Sequence, residues 1–307
     1  MLKTETKTLY KAFGLSVTSD IFLPELPVLE EAATSSDIEI SIGELSKLWS
    51  ELSSENNAFV IKKEFIMVHV PKVAIFSIRD GSKITVSPLG EYDEDLVRLY
   101  LLGTCMGAAL IQRKVLPLHG SAIAIDGKAY AIIGDSGAGK STLASEFLNR
   151  GYQLLSDDVI AVTMDGHIPL VTPAYPQQKL WDESLSIFGL ESSKYRSVFG
   201  RENKYCVPVT SSYISDPLPL AGIIELVKTE EKDMTFQRVE KLERLQTLFL
   251  HTYRNFLIYP LGLMDWHFNM TVNIINTLDI FQLQRPNKGY SPDFIASLIL
   301  KSIKGEK

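Results

Sequence analysis

Apolar and polar positions alternate with a period near two through most of the first 88 residues. TKTLYKAFGLSVTSD, SDIEISIGEL, NAFVIKKEFIMVHV and VAIFSIRDGSKITVSP are rich in β-branched and aromatic residues in this pattern. That is the signature of short strands half buried on a sheet. RDGSK at 79–83 reads as a hairpin turn between two of them, and EEAATSSD as a polar loop. The pattern becomes helical from about Asp93 to Lys114. Its most apolar window, LVRLYLLGTCMGAALI, carries Arg98. The window is too short to span a bilayer comfortably, so a buried helix is expected and no membrane role.

Beyond it, strand and helix patterns alternate. LPLHGSAIAI reads as a strand, the turn DGK leads into the strand AYAII at 129–133, and STLASEFLNRG reads as a helix closed by Gly151. YQLLSDDVIAVT is a strand interrupted by two acids, with DGH at 165–167 as the next turn. Residues 172–205 read as irregular, rich in proline, aromatic and basic residues, and long irregular segments in compact domains tend to be functional or mobile. LPLAGIIELVK is a further strand, TEEKD a turn and EKLERLQTLFLHTYR an amphipathic helix. A short strand, a Pro/Gly loop and a last helix fill Phe281 to Ile303. The whole predicts an α/β fold, with a β-rich accessory domain at 1–88 that scaffolds or recognises a partner, and a second domain at 89–307.

Composition narrows the partners. The 307 residues are 45% hydrophobic and 22% charged, as in soluble globular proteins. A net charge of −6 suggests no general nucleic-acid affinity. Cys105 and Cys206 form neither a metal spacing nor a disulfide framework, and buried thiols in a reducing cytosol are expected. MLKTETKTLYKAFG has no apolar signal core.

The chemistry starts at GDSGAGKST, residues 134–142. Gly134, Gly139, Lys140 and Ser141 meet the spacing of a phosphate-binding loop, and the preceding strand and following helix are the context such a loop needs. Glycines at 134, 137 and 139 let backbone N–H groups converge on a polyphosphate at a helix N-terminus. Gly134, Asp135, Ser136, Gly137, Ala138, Gly139, Lys140, Ser141 and Thr142 are therefore the expected nucleotide-binding residues. Lys140 would bridge the β- and γ-phosphates and Ser141 would offer its hydroxyl to Mg²⁺.

Two features refine this. Asp157 and Asp158 lie inside the apolar run LLSDDVIAV, where an unpaired carboxylate is costly to bury. Adjacent acids at a strand end can divide labour, one holding Mg²⁺ and the other accepting the proton of an attacking hydroxyl. His119 closes an apolar strand before Gly120 and is placed to orient or tune one of these acids. No Asn-Lys-x-Asp guanine reader and no Leu-Ser-Gly-Gly-Gln transporter signature is present. GTPase and transporter-ATPase readings fall accordingly.

In its order of strand-His-Gly, hairpin, Gly-Asp-Ser-Gly-x-Gly-Lys-Ser, helix, Arg-Gly, strand and Asp-Asp, residues 118–162 resemble the catalytic core of the HPr kinase/phosphorylase family. The resemblance implies a P-loop kinase core of the HPr kinase and phosphoenolpyruvate carboxykinase type, using ATP and Mg²⁺ to phosphorylate a protein serine. It implies Asp157 as the proton-relaying carboxylate, Asp158 as support for Mg²⁺ and His119, and Lys140 among the catalytic groups. The family's Arg-Gly-Leu-Gly signature after the acids is replaced by PAYPQQKLWDESLSIFG, and Thr142 stands where an acidic residue often follows the loop serine. FGLSVTSDIFLPEL, YPQQKLWDESL and PLPLAGIIEL are similar to a subgroup of kinases encoded with lasso-peptide biosynthesis, which modify a serine at the precursor's C-terminus. The expected partners are ATP and a serine-bearing peptide or small protein in the cytoplasm. HPr enzymes of this kind form hexamers, and a homo-oligomer stays open here.

Outside the core, Lys179, Lys194, Arg196, Arg201 and Lys204 read as solvated cations that can reach ATP or an acidic peptide. Arg254 is a candidate for neutralising transferred charge, Trp181 a packing anchor, and His251 and His267 structural. Two other readings compete with the peptide kinase. One is a bifunctional HPr kinase/phosphorylase, and the other a nucleotide-sensing module that does not transfer phosphate.

Overall fold

A computed structural model describes residues 8–30, 35–54, 57–91, 93–198, 203–231, 233–240, 242–287, 289 and 291–304. Residues 31–34 of the EEAATSSD loop and Arg201 lie outside these residues. The first strands are β1 (Thr8–Ala12), β2 (Leu15–Ser19), β3 (Ile38–Ile42), β4 (Phe59–Ile61), β5 (Phe65–Val70), β6 (Ala74–Arg79) and β7 (Lys83–Pro88). They form one sheet in the order β1-β2-β3-β7-β6-β5-β4. The β6–β7 turn takes left-handed angles at Asp80 and Gly81, as the RDGSK reading requires. A short helix, α1 (Ser46–Leu52), follows β3 and was not expected from the sequence.

The apolar window folds as α2 (Glu94–Tyr100), a π-helical turn at Leu101–Cys105 and α3 (Met106–Gln112). Asp93 caps α2 by accepting from the Asp95 and Leu96 N–H groups. One core cluster joins apolar residues of the first sheet (Ile40, Phe76, Val86) to Leu101, Met106 and Leu110 of this helical stretch, and further to Val159, Ala161, Leu257 and Leu261. The first sheet and the rest of the chain thus share apolar packing.

The second sheet holds the chemistry. Its strands are β8 (Leu116–Ile125), β9 (Lys128–Gly134), β10 (Gln153–Asp165), β11 (Ile168–Thr172), β15 (Leu218–Thr229), β16 (Thr235–Arg238) and β17 (Asp279–Pro286). They run in the order β11-β10-β8-β9-β15-β17-β16, and β11 also pairs with the start of β15. The β9–β15 and β15–β17 pairs are parallel. Side-chain alternation assigns the two faces. One face packs Ile132, Leu226 and Leu283 under α4 (Lys140–Asn149) and α8 (Pro292–Lys304). The opposite face packs Ile133, Ile223 and Ile280 under α6 (Glu243–Leu250) and α7 (Met264–Thr277).

The described residues of the segment read as irregular are ordered. β12 (Gln177–Trp181), β13 (Arg196–Ser197) and β14 (Lys204–Pro208) make a three-stranded sheet, with α5 (Asp182–Ile187) following β12. Its order comes from pairing 177–181 with 204–208, which no local pattern announces. The amphipathic helix stops at Leu250, short of the expected Arg254. There the chain leaves the helix to lie along β8: Tyr253 N–H donates to the Pro117 carbonyl at 2.8 Å, and Arg254 adopts a left-handed φ of 56°. Among the described residues no helix is long and apolar enough to cross a membrane.

Gly107 on α3 gives Tyr253 its seat, since a Cβ there would lie 2.6 Å from Tyr253 Cδ1. Helix propensity favours Gly→Ala by about 1 kcal/mol, whereas overpacking costs roughly 1–3 kcal/mol. Gly107→Ala is therefore expected to lower stability by about 1 kcal/mol in urea denaturation. A variant as stable as the parent would show that Tyr253 is not held by this packing.

Candidate active site

The phosphate loop runs from the end of β9 to the start of α4. Gly134 has a φ of 144°, and a Cβ there would run into the Leu226 carbonyl of neighbouring β15. Only glycine fits this close approach. Gly139 is the N-cap of α4 and supplies no side-chain cap. The N–H groups of the first turn are then left to a ligand, with the helix dipole behind them. Lys140 is 8% exposed, and its Nζ donates to the Gly134 carbonyl at 2.8 Å and the Asp135 carbonyl at 2.9 Å. Burial lowers its pKa to about 8, against the pull of Asp157 and Asp158.

Strand β10 brings the two acids beside this loop. A register shift between Leu154 and Ser156 precedes them, and Asp158 has a left-handed φ of 76°. In a regular strand, adjacent side chains point to opposite faces. Here both carboxylates converge on Lys179 of β12. The Lys179 N–H donates to Asp157 Oδ2 at 2.8 Å, and Lys179 Nζ donates to Asp158 Oδ2 at 2.7 Å. A non-glycine residue in this backbone region is strained by about 1–3 kcal/mol, a cost tolerated where surrounding contacts over-determine it.

The acids differ in their other partners. Asp157 is 5% exposed, and its Oδ1 accepts from Ser121 Oγ at 2.5 Å and from Ser141 Oγ at 3.0 Å. It therefore stands against the loop hydroxyl. Asp158 faces His119, with His119 Nδ1 3.6 Å from Asp158 Oδ1 and 3.0 Å from the Asp158 carbonyl oxygen. A carbonyl only accepts, so Nδ1 carries the proton and Nε2 is left as an acceptor. Burial, then Lys140, holds the His119 pKa below its ordinary value in spite of Asp158. Burial would raise the Asp158 pKa, but Lys179, His119 and Lys204 outweigh it and hold the carboxyl well below the usual range. Burial likewise works against the charge of Lys179, and Asp158 reverses this, raising its pKa.

The expectation for the acids is revised on one point. Asp157, not Asp158, contacts the Ser141 hydroxyl, whereas Asp158 keeps the expected His119 contact and adds Lys179. Lys179 is also not a solvated cation but a buried one, 7% exposed. Gln178 and Ser184 from the same segment brace α4. Gln178 Oε1 accepts from Ser145 Oγ at 3.1 Å, and Ser184 Oγ shares a 2.7 Å hydrogen bond with Thr142 Oγ1.

Other predicted residues sort by distance from this centre. Lys204 lies 5.5 Å over the Trp181 ring, which is 37% exposed rather than a packing anchor. Lys194 pairs with Glu191 on the surface, and Arg196 pairs with Glu25 and Asp95. Arg254 donates to Thr104 Oγ1 at 2.8 Å in the π-helical turn. His251 shares a 2.8 Å hydrogen bond with Glu225 Oε1, and His267 one of 2.8 Å with Thr252 Oγ1.

Three residues went unread in the sequence. Glu225 is a carboxylate inside the apolar run LAGIIELVK, the same signal that marked Asp157 and Asp158. It accepts from Gln282 as well as joining His251, whose carbonyl takes the His119 N–H at 2.8 Å. Arg285 is 1% exposed and its Nε donates to the Ala138 carbonyl at 3.0 Å, bracing the phosphate loop from beneath. Tyr253 packs its ring 5.8 Å from the His119 ring. Neither Arg285 nor Tyr253 carries a local sequence signal.

Ser141 and Asp157 offer hard oxygen donors of the kind Mg²⁺ takes, in the loop-hydroxyl and carboxylate pairing of P-loop enzymes. Among the described residues no group of three or more His, Cys, Asp or Glu side chains forms a metal cage. That donor set suits an ion shared with nucleotide phosphates rather than one held by protein alone.

Comparison with known proteins finds similarity in the central segment. Residues 112–251 match the family model of the HPr Serine kinase C-terminal domain. The HPr kinase/phosphorylase of Mycoplasmopsis pulmonis is 32% identical over 100 residues, covering 30% of this chain and 32% of the relative. That of Bordetella pertussis is 30% identical over 160 residues, covering 49% of this chain and 40% of the relative. The chain thus spans well under half the length of these curated relatives. The solved Hpr(Ser) kinase/phosphatase from Coxiella burnetii has a TM-score of 0.35 and 16% identity, covering 62% of this chain and 97% of that one. The family model and the relatives' names support the HPr kinase/phosphorylase C-terminal family for the central segment.

The lowered Lys140 pKa gives a pH test. Phosphate binding stabilises the ammonium and raises its pKa, so binding above about pH 8 must take up a proton. Affinity for ATP is expected to fall as pH rises through about 8 towards the bound-state pKa. Lys140→Arg, ionised throughout, should flatten that profile in calorimetric titrations. A parent profile already flat from neutral pH to pH 10 would mean that Lys140 does not lose its charge there.

Proposed function

We propose that this chain is an ATP- and Mg²⁺-dependent kinase that transfers the γ-phosphoryl group to a serine hydroxyl of a peptide or small protein. The observation that carries the reading is the division of the acid pair: Asp157 on the loop serine, Asp158 on His119 and Lys179. A nucleotide sensor needs a loop and a metal carboxylate, but not a second, separately held carboxylate beside them.

The residues take distinct roles in this reading. Gly134 to Thr142 bind the nucleotide phosphates, and Lys140 neutralises charge that spreads over the transferred group. Ser141 and Asp157 would hold Mg²⁺, which offsets phosphate charge when bound. Asp158 accepts the proton of the attacking serine. Its depressed pKa keeps it ionised, and the His119 and Lys179 contacts fix its position. Neutral His119 steadies the strained Asp158 backbone through Nδ1–H.

The acceptor is proposed to be the C-terminal serine of a lasso-peptide precursor. Two of the sequence stretches that carry the subgroup resemblance support this, one by folding against the acids and the other by packing on the segment that leads into it. YPQQKLWDESL contributes Gln178, Lys179 and Ser184, as described above. FGLSVTSDIFLPEL contributes Phe13, whose N–H donates to the Ala174 carbonyl at 3.2 Å and whose ring meets Tyr175 edge-on, and Glu25, which pairs with Arg98. The division into an accessory region at 1–88 and a kinase region at 89–307, and a cytoplasmic setting, belong to the same proposal. The names of the curated relatives keep HPr itself as the alternative acceptor.

Intact-mass measurement with ATP and Mg²⁺ tests the reading, offering a precursor-like peptide ending in serine and, separately, HPr. The expected result is a single phosphoryl gain on the peptide; a gain on HPr alone would reassign the acceptor, and no gain on either would leave the sensor. Asp158→Asn should retain nucleotide binding and lose transfer by about a hundredfold or more, the usual range for a general base. Asp157→Asn should instead raise the Mg²⁺ concentration needed for half-maximal transfer. The reverse pattern would exchange the two roles.

A further inference from the structure

Strands β15 and β17 run parallel beside the phosphate loop, and their facing residues are in register: Leu226 with Leu283, Lys228 with Arg285. Residues two apart share a face of a strand. The Leu226 and Leu283 side chains pack with Ala138 and Leu143 of the loop and its helix. The same face therefore continues, at the strand ends, into Lys228 and Arg285. Arg285 turns inward and grips the Ala138 carbonyl. Lys228 is exposed, and its ammonium reaches the loop tip: Nζ lies 3.7 Å from where a Cβ on Gly137 would stand. Among the described residues it has no ion-pair partner.

We propose that Lys228 is a second phosphate-binding cation, which contacts the nucleotide polyphosphate from the outer side of the loop while Lys140 serves it from within. The inference rests on the kinase reading only in taking the ligand to be a nucleoside triphosphate. The chemistry fits. A lysine ammonium is a compact charge on a flexible stem, able to follow a terminal phosphate without fixed geometry. Its rigid partner, Arg285, fixes the backbone that the phosphates lie against. The two strands thus deliver one cation to the loop's shape and one to its ligand. Lys228 has no counterpart in the phosphate-loop motif, because it arrives on a strand distant in sequence.

Calorimetric titration of ATP with Mg²⁺ at low and high ionic strength tests this on parent, Lys228→Ala, Lys228→Arg and Lys301→Ala. Lys301, exposed on α8, controls for a change in net charge. Lys228→Ala is expected to bind about tenfold more weakly at low ionic strength, the scale of one charge-assisted contact, and the difference should shrink with salt. Lys228→Arg should recover most of the affinity, and Lys301→Ala should match the parent. Parent-like binding by Lys228→Ala, an equal loss at both ionic strengths, or an equal loss in Lys301→Ala would each overturn the inference while leaving the kinase reading intact. A parent that binds no ATP would overturn both.

Discussion

The site depends on one buried contact, the ion pair between Lys179 and Asp158, with an N···O distance of 2.7 Å and side-chain exposures of 8% and 20%. Burying either charge alone costs several kcal/mol, and the pair offsets that cost only if its geometry is good and its remaining valences are filled. Here they are. Asp158 also has His119, and the Lys179 backbone N–H is committed to Asp157. The strand β12 is thereby tied to both acids at once, by main chain and by side chain. The docking of β12 then places Gln178 and Ser184 against α4, so the same contact that ionises the site also orders the segment enclosing the phosphate loop.

Much of this was legible locally, and the reason is physical. The loop with its flanking strand and helix is a contiguous unit, whose glycines and lysine must occupy fixed positions along the chain. A pair of carboxylates inside an apolar run is likewise conspicuous, since burial demands partners for them. What the run could not disclose was the partner's identity. Lys179 sits in QQKLW, and Gln178, Lys179 and Leu180 are all buried, at 2%, 7% and 1%. A strand covered on both faces shows no alternation when its polar residues are matched by partners elsewhere. Arg285 and Lys228 were hidden for the same reason, as both reach the loop through parallel pairing of strands far apart in sequence.

The two acids illustrate where reading along a strand fails. Alternation would send Asp157 and Asp158 to opposite faces, and adjacency alone gives no means of assigning metal and proton roles. The irregularity at Leu154–Ser156 and the left-handed Asp158 bring the carboxylates to one side with different neighbours. The local strain is held in place by specific contacts: Ser156 Oγ donates to the Val159 carbonyl, and His119 donates to the Asp158 carbonyl. His119, held neutral by burial, thus acts on the backbone of Asp158 through Nδ1–H.

The first sheet contributes through packing rather than chemistry. Val159 and Ala161, just beyond the acids on β10, are buried in the same cluster as Phe76 and Leu101. The segment Ala174–Tyr175, which leads into β12, is held by Phe13 through a main-chain hydrogen bond and an edge-on ring contact. Both sides of the Asp158–Lys179 contact are therefore anchored on apolar surface supplied by the N-terminal strands and α2–α3. Glu25, Arg98 and Arg196 add a polar link between the same parts, with the Arg98 and Glu25 side chains only 6% and 11% exposed. Because the ion pair tolerates little displacement before its desolvation cost goes unmet, a rearrangement of the first sheet would be felt at Asp158 through this packing. The N-terminal strands are in this sense part of the machinery that keeps the carboxylate ionised and aimed.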